Sequence, residues 1–227
     1  MVINPLLAPK PGHDALRDYA PIAVVATIPS VLAVHPSVPA RTLAELTKLT
    51  RSQSGKISFG SGSSGSPSHL AGELYMSLTQ SKILLVPYKG ATFALVGAMS
   101  GEVDMVIPAA TAVAPYVKDK RMRALAVLDA RPLAFLPGVP TSAQAGMPQM
   151  LVVNWYLLAA PAGAPQAIID FLNVEVNKVM RADDTRKHFQ NLGGETLSIS
   201  PEQSATFLRE EYGRWGKVIR DANIKGE

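Results

Sequence analysis

Short apolar runs alternate along this chain with stretches of helical period. Ile57-Ser58-Phe59, Ile83-Leu84-Leu85-Val86, Val103-Asp104-Met105-Val106-Ile107 and Arg123-Ala124-Leu125-Ala126-Val127-Leu128 have the length and β-type character of strands. The second, apolar throughout, reads as a buried strand. Between them lie helix signatures. Ser66 to Thr79 carries Leu70, Leu74 and Leu78 on one side, and shorter helices are predicted over Thr92–Met99 and Ala112–Val117. Strands alternating with helices predict right-handed βαβ units and a parallel sheet. Ligands of such sheets bind outside the carboxyl ends of the strands. Three loops leave those ends, at 60–66, 87–92 and 108–111, and are expected to converge.

The flanking segments follow other patterns. Residues 1–20 are Pro-rich and read as a surface segment with one turn of helix. Residues 21–35 contain two β-type runs broken at Pro29, which cannot donate within a sheet. Thr42-Leu43-Ala44-Glu45 is a capping box opening a helix to about Leu49. Residues 131–149 are Pro- and Gly-rich, with a short helix expected near Ser142-Ala143-Gln144-Ala145. Leu151 to Ala160 is a long β-type run. Beyond Pro165 a helix is predicted with Ile169, Leu172, Val176 and Val179 at helical spacing. A second helix follows from about Asp184 to Asn191, then a strand over Glu195–Ile199. Ser200-Pro201-Glu202-Gln203 is a strong helix start, and Leu208, Tyr212, Trp215 and Ile219 form that helix's core face.

The candidate chemistry sits in Gly60-Ser61-Gly62-Ser63-Ser64-Gly65-Ser66-Pro67-Ser68-His69. A strand enters a loop of only Gly and Ser, Ser66 is an N-cap, and Pro67 suits the first helical position. A bare helix N-terminus there would offer N–H groups and a partial positive charge to an anion. The segment also reads as a mobile Gly/Ser linker, but the surrounding βαβ pattern argues against that. It is no P-loop, because no Lys follows Gly65.

Composition narrows the classes. The 227 residues allow one large domain or two small ones. The net charge of +4 is mild and its basic residues are scattered without interleaved aromatics, so nucleic acid is not an expected partner. Without cysteine, and with four dispersed histidines, no metal site or cofactor is expected. No apolar run is long enough to span a bilayer, and residues 1–5 do not read as a signal peptide.

Several of these segments, in order, resemble one family. They are Phe59 to Leu74 with Ser68-His69-Leu70-Ala71-Gly72-Glu73-Leu74, Val86-Pro87-Tyr88-Lys89-Gly90, Gly101-Glu102-Val103-Asp104, Arg123 to Val127, Gly138-Val139-Pro140-Thr141 and Ala160-Pro161-Ala162-Gly163. Together they resemble the Bug family, the extracytoplasmic solute receptors of tripartite tricarboxylate transporters, over essentially the whole chain. The resemblance implies an α/β fold of the type II periplasmic binding protein kind, two-domain with parallel or mixed sheets, and a ligand trapped between the domains. It also implies a small organic carboxylate as ligand, transporter membrane subunits as partners, and a periplasmic location.

By resemblance the ligand-binding residues are Ser61, Gly62, Ser63, Ser64, Gly65, Ser66 and Ser68, with Tyr88, Lys89, Gly90, Ala91 and Thr92 lining the same pocket. Pro108 and Ala109 stand where the family often has Asp or Asn, which suggests a less polar ligand body. Thr27 and Asn154 lie on the presumed crossovers. Such receptors carry additional N-terminal sequence, so the first domain is expected to be incomplete: residues 1–35 and 150–227, against a complete domain at 36–149 bearing the Gly/Ser loop. Exposed apolar surface and self-association are the expected consequences.

Individual residues leave alternatives open. Lys89 is a carboxylate partner or a turn lysine. His69, in a first helical turn, reads as a hydrogen-bonding partner more than a base, because the helix N-terminus disfavours its charged form. Asp104 reads as a structural cap or a cross-strand partner, and Trp155 as hinge packing or a ligand cover. The rival function is an α/β enzyme holding an anionic substrate at the same loop. No Gly-x-Ser-x-Gly elbow with a placed His supports it. A serine hydroxyl bonded to His69 with an acid behind would favour it.

Overall fold

The computed structural model describes residues 3–7, 12–63 and 65–224. In chain order the elements begin with α1 (Ile3–Leu7), β1 (Tyr19–Pro29), β2 (Val31–Val34), α2 (Leu43–Ser52), β3 (Ser58–Ser61) and α3 (Pro67–Thr79). Then come β4 (Leu84–Pro87), α4 (Ala91–Met99), β5 (Met105–Val106), α5 (Ala110–Lys118) and β6 (Arg123–Val127). The chain finishes with β7 (Val153–Pro161), α6 (Gln166–Arg181), α7 (Asp183–Asn191), β8 (Glu195–Thr196) and α8 (Pro201–Asp221). It divides into two compact units, one of residues 1–28 and 154–227 and one of 29–153.

The 29–153 unit is built on a five-stranded sheet of order β4-β3-β5-β2-β6. β3 pairs in parallel with β4 and β5. β2 runs antiparallel to both β5 and β6. The sheet is therefore mixed, with one reversed strand between two of the parallel set. β4, expected to be buried, is an edge strand whose Leu84 is 54% exposed. The segment at 142–145 is a turn rather than a helix. Thr141 and Gln144 exchange hydrogen bonds as a helix start would, but Gly146 takes φ +84 and ends the turn.

Close packing places the site. Gly72 lets α3 lie directly on β3, since a Cβ there would stand 3.0 Å from the Phe59 ring. Asp104 joins β3 to the start of β5. Its carboxylate accepts from the Ser58 N–H and hydroxyl, both at 2.7 Å, and its own N–H donates to the Ser58 hydroxyl at 3.0 Å. Of the two structural readings of Asp104, the cross-strand partner is thus the one met. The Arg123 guanidinium donates to the carbonyls of Pro36, Val38 and Ala40, closing the loop after β2.

The other unit has a three-stranded sheet of order β7-β1-β8, with β8 antiparallel to β1. β8 stops after two residues, short of the strand expected to Ile199. On α8, Leu208, Trp215 and Ile219 are buried as their spacing predicts, and Ser200 and Gln203 form the full capping box. Trp155 packs edge-on to Phe207, and its indole N–H donates to Glu211 at 3.0 Å, so it is a core residue of this unit. α6 meets expectation in part: Ile169 is buried, and Leu172 and Val176 pack against the same core. Its buried line is Ile169, Asn173 and Asn177, while Val179 is 56% exposed. The two amides are held inside by the carbonyls of Ile22 and Ile199, which turns Phe171 outward at 61% exposure.

Candidate functional site

β3, β4 and β5 run in one direction, so the loops after Ser61, Pro87 and Val106 leave the same sheet edge. The first two meet. The Tyr88 N–H donates to the Ser61 carbonyl at 2.8 Å, and the Gly90 N–H to the Gly62 carbonyl at 2.7 Å. Gly62 is required at this junction. A Cβ there would lie 3.1 Å from the Ala91 nitrogen and 3.4 Å from the Ser68 hydroxyl oxygen. The first turn of α4 and the Ser68 hydroxyl therefore flank one point on the backbone.

The donor inventory differs from the expectation of a bare α3 N-terminus. The Ser66 hydroxyl caps α3 by accepting from the His69 N–H at 3.2 Å, and it also accepts from the Ser63 N–H at 3.3 Å. The Gly62 N–H donates to Ser68 Oγ at 2.9 Å. The Gly65 N–H donates to His69 Nδ1 at 2.8 Å, and the Ser66 N–H to the Ser63 carbonyl at 3.2 Å. Most backbone donors of the loop are thus spent within it. The Ser66 and Ser68 hydroxyls stand 3.1 Å apart and part-buried beside it.

The open helix ends are the two neighbours. α4 begins at Gly90 and α5 at Ala109, neither with a side-chain cap. Among the described residues the N–H groups of Ala91, Thr92 and Phe93 have no partner. Such groups carry the positive end of the helix dipole. The signal was present in the sequence, as Gly and Ala where Ser, Thr, Asp or Asn would cap.

The other expected residues divide as follows. Tyr88 contributes backbone; its ring packs into the core under α4 beside Gly97. Its hydroxyl is buried without a hydrogen-bond partner. Burial first, and the Glu102 charge second, push its pKa up. Lys89 is exposed and makes no ion pair among the described residues. The Pro108 carbonyl accepts from the Val31 N–H at 3.0 Å, and Ala109 bridges to Ser30. Ser64 lies outside the described residues. Thr27, paired with Glu195 in β1, and Asn154, whose amide donates to the Ile28 carbonyl at 3.3 Å, belong to the other unit.

Among the described residues the catalytic arrangement tested by the rival reading is not formed. His69 Nδ1 is taken by Gly65 and its Nε2 faces Glu73 at 3.4 Å. Among the described residues no serine hydroxyl bonds this ring, and no group of three His, Cys, Asp or Glu is placed to hold a metal. A groove of about 780 Å³ lies elsewhere, between α2, the end of α3 and residues 145–149, and contains none of these site residues.

An α/β frame of two units with mixed sheets is the architecture of the periplasmic binding proteins. Residues 1–224 match the tripartite tricarboxylate transporter family receptor, and the chain belongs to that family, the one its motifs resemble. It is a family of solute-binding receptors, not enzymes. A "UPF0065 protein in tcbD-tcbE intergenic region" of Pseudomonas sp. strain P51 is 36% identical over 222 residues, covering 96% of this chain and 66% of that protein. The chain thus spans about two thirds of that relative's length. Rpa4515 of R. palustris, solved with adipate, superposes with a TM-score of 0.86 at 31% identity, covering 99% of this chain and 75% of that one. MatC from Rhodopseudomonas palustris, solved with malate, gives 0.81 at 26% identity, over 94% and 74%.

Proposed function

We propose that this chain is the periplasmic receptor for a small organic carboxylate, which it delivers to the membrane subunits of a tripartite tricarboxylate transporter. The observation that carries the reading is the convergence at Gly62. The open first turn of α4 and the Ser68 hydroxyl stand on either side of a position with no side chain. One carboxylate there takes N–H groups from Ala91 and Thr92 and a hydroxyl from the Ser66–Ser68 pair. Each charge-assisted hydrogen bond contributes about 1.5–3 kcal/mol, and the dipole adds about 0.3–1 kcal/mol. Adipate and malate in the related structures are both dicarboxylates, which supports the ligand class. The apolar Pro108-Ala109 turn favours a ligand with an aliphatic or aromatic body.

Calorimetry with adipate, malate and benzoate tests this. At least one is expected to bind, and Ser68→Ala and Gly62→Ala are each expected to weaken it about tenfold or more, the second because its methyl occupies the anion's approach. No binding to any member of the panel, or full affinity in both variants, refutes the assignment.

A further inference from the structure

We propose that His69, held as the neutral tautomer with its proton on Nε2, is the positioning residue that pins the Gly/Ser loop in its binding shape; its effect on affinity rests on the carboxylate reading above. The Gly65 N–H donates to His69 Nδ1 at 2.8 Å. A ring nitrogen that accepts carries no proton, so the proton resides on Nε2, which faces Glu73 Oε1 at 3.4 Å. The two side chains are only 13% and 17% exposed. Both ring nitrogens therefore have assigned roles, and the ring is unavailable as a base toward ligand.

The bond reaches back across the Ser66 cap to Gly65, which sits in the left-handed region at φ +70. Gly65 is where the loop reverses into α3. Without the imidazole, its N–H would be buried with no partner, and the loop would lose the anchor that sets Ser66 and Ser68 side by side. The Ser66–His69 backbone cap secures the helix by itself. The side-chain bond therefore acts on the loop more than on α3. It pre-organises the hydroxyl pair, so less ordering is required when a ligand arrives.

The test separates the pin from the binding. In ¹⁵N-labelled protein without ligand, long-range ring spectra are expected to show Nδ1 unprotonated and Nε2 protonated, with the Gly65 amide proton shifted downfield and slow to exchange. His69→Leu, which fills the space without an acceptor, is expected to lose that slow exchange and move the loop amides. His69→Asn, whose Oδ1 falls near the Nδ1 position, is expected to restore both. With adipate as probe, His69→Leu is expected to bind about tenfold more weakly, and His69→Asn within about threefold of the parent. A proton on Nδ1, or loop amides unchanged in His69→Leu, overturns the inference whether or not ligand binds. A parent that binds no carboxylate overturns the function reading and leaves the pin to be decided by the ligand-free spectra.

Discussion

Gly97 and Tyr88 offer a prediction whose sign, and not only its size, is informative. Gly97 is buried in α4 with an ordinary helical backbone, so Gly→Ala there would be expected to stabilise by up to about 1 kcal/mol on propensity alone. The packing says otherwise. A Cβ at Gly97 falls 2.3 Å from the Tyr88 hydroxyl oxygen and 2.7 Å from its ring carbon Cζ. Relief requires a movement on the order of an ångström in a helix backbone or a packed ring, and such overpacking costs about 1–3 kcal/mol. Gly97→Ala should therefore destabilise. Tyr88→Phe deletes the nearest atom and also a buried hydroxyl that has no partner, so it should cost little or nothing by itself. In Gly97→Ala/Tyr88→Phe the Cζ contact remains, and rescue should be partial. Urea unfolding of the four proteins measures the coupling. A stabilised Gly97→Ala, or purely additive effects, would refute the argument.

Alkaline titration supplies a second readout on the same set. The Tyr88 pKa is raised in the folded chain by burial and then by Glu102. Below the unfolded value near 10 the hydroxyl is neutral in both states. Above it the unfolded tyrosine ionises first, so stability falls as pH rises toward the folded value. Tyr88→Phe should reduce that fall.

Two further outcomes are expected. Glu211 accepts the indole N–H groups of both Trp155 and Trp215 and pairs with Arg214 at 2.8 Å. Glu211→Ala should cost about 2–4 kcal/mol and Glu211→Gln clearly less, since the amide keeps an acceptor; equal losses in thermal unfolding would show that the indole bonds contribute nothing. Phe171, Ile168 and Val174 on α6, and Tyr156 and Leu158 on β7, are each more than 40% exposed, so the chain should self-associate with rising concentration; a constant monomer mass by light scattering, or unchanged association in Phe171→Glu, would count against this.

How much was legible in the sequence depended on whether the determining contact was local. Ser66-Pro67 and Ser200-Pro201-Glu202-Gln203 announce helix starts within four residues, and both helices begin there. The three strands leading into these loops were readable from apolar runs to within about two residues at their ends, and so was their common edge. Long-range pairing was not. Nothing in Val31–Val34 marks it as the antiparallel strand between β5 and β6, because both partners lie far along the chain. Part of the inner face of α6 was missed for the same reason: Asn173 and Asn177 look like surface residues until the carbonyls of Ile22 and Ile199 are brought to them. At the site, the loop's composition suggested free donors. The cross-bonds from Gly62 to Ser68 and Gly65 to His69 consume them, and they appear only once the loop has its shape.

The placement of β1 has a bearing on the order in which the chain acquires structure. β1 is the central strand of its sheet, yet its flanking strands β7 and β8 begin only at Val153 and Glu195. During synthesis the 29–153 unit has all its strands as soon as Val127 emerges, whereas β1 must wait for nearly the whole chain. Domains fold as units, generally from the N-terminal side during translation, and pairings of large sequence separation form slowly. β1, ahead of all the other described strands in the chain, is thus among the last to be secured. Until then its apolar residues Ile22, Val24 and Ala26 remain available to holdase chaperones.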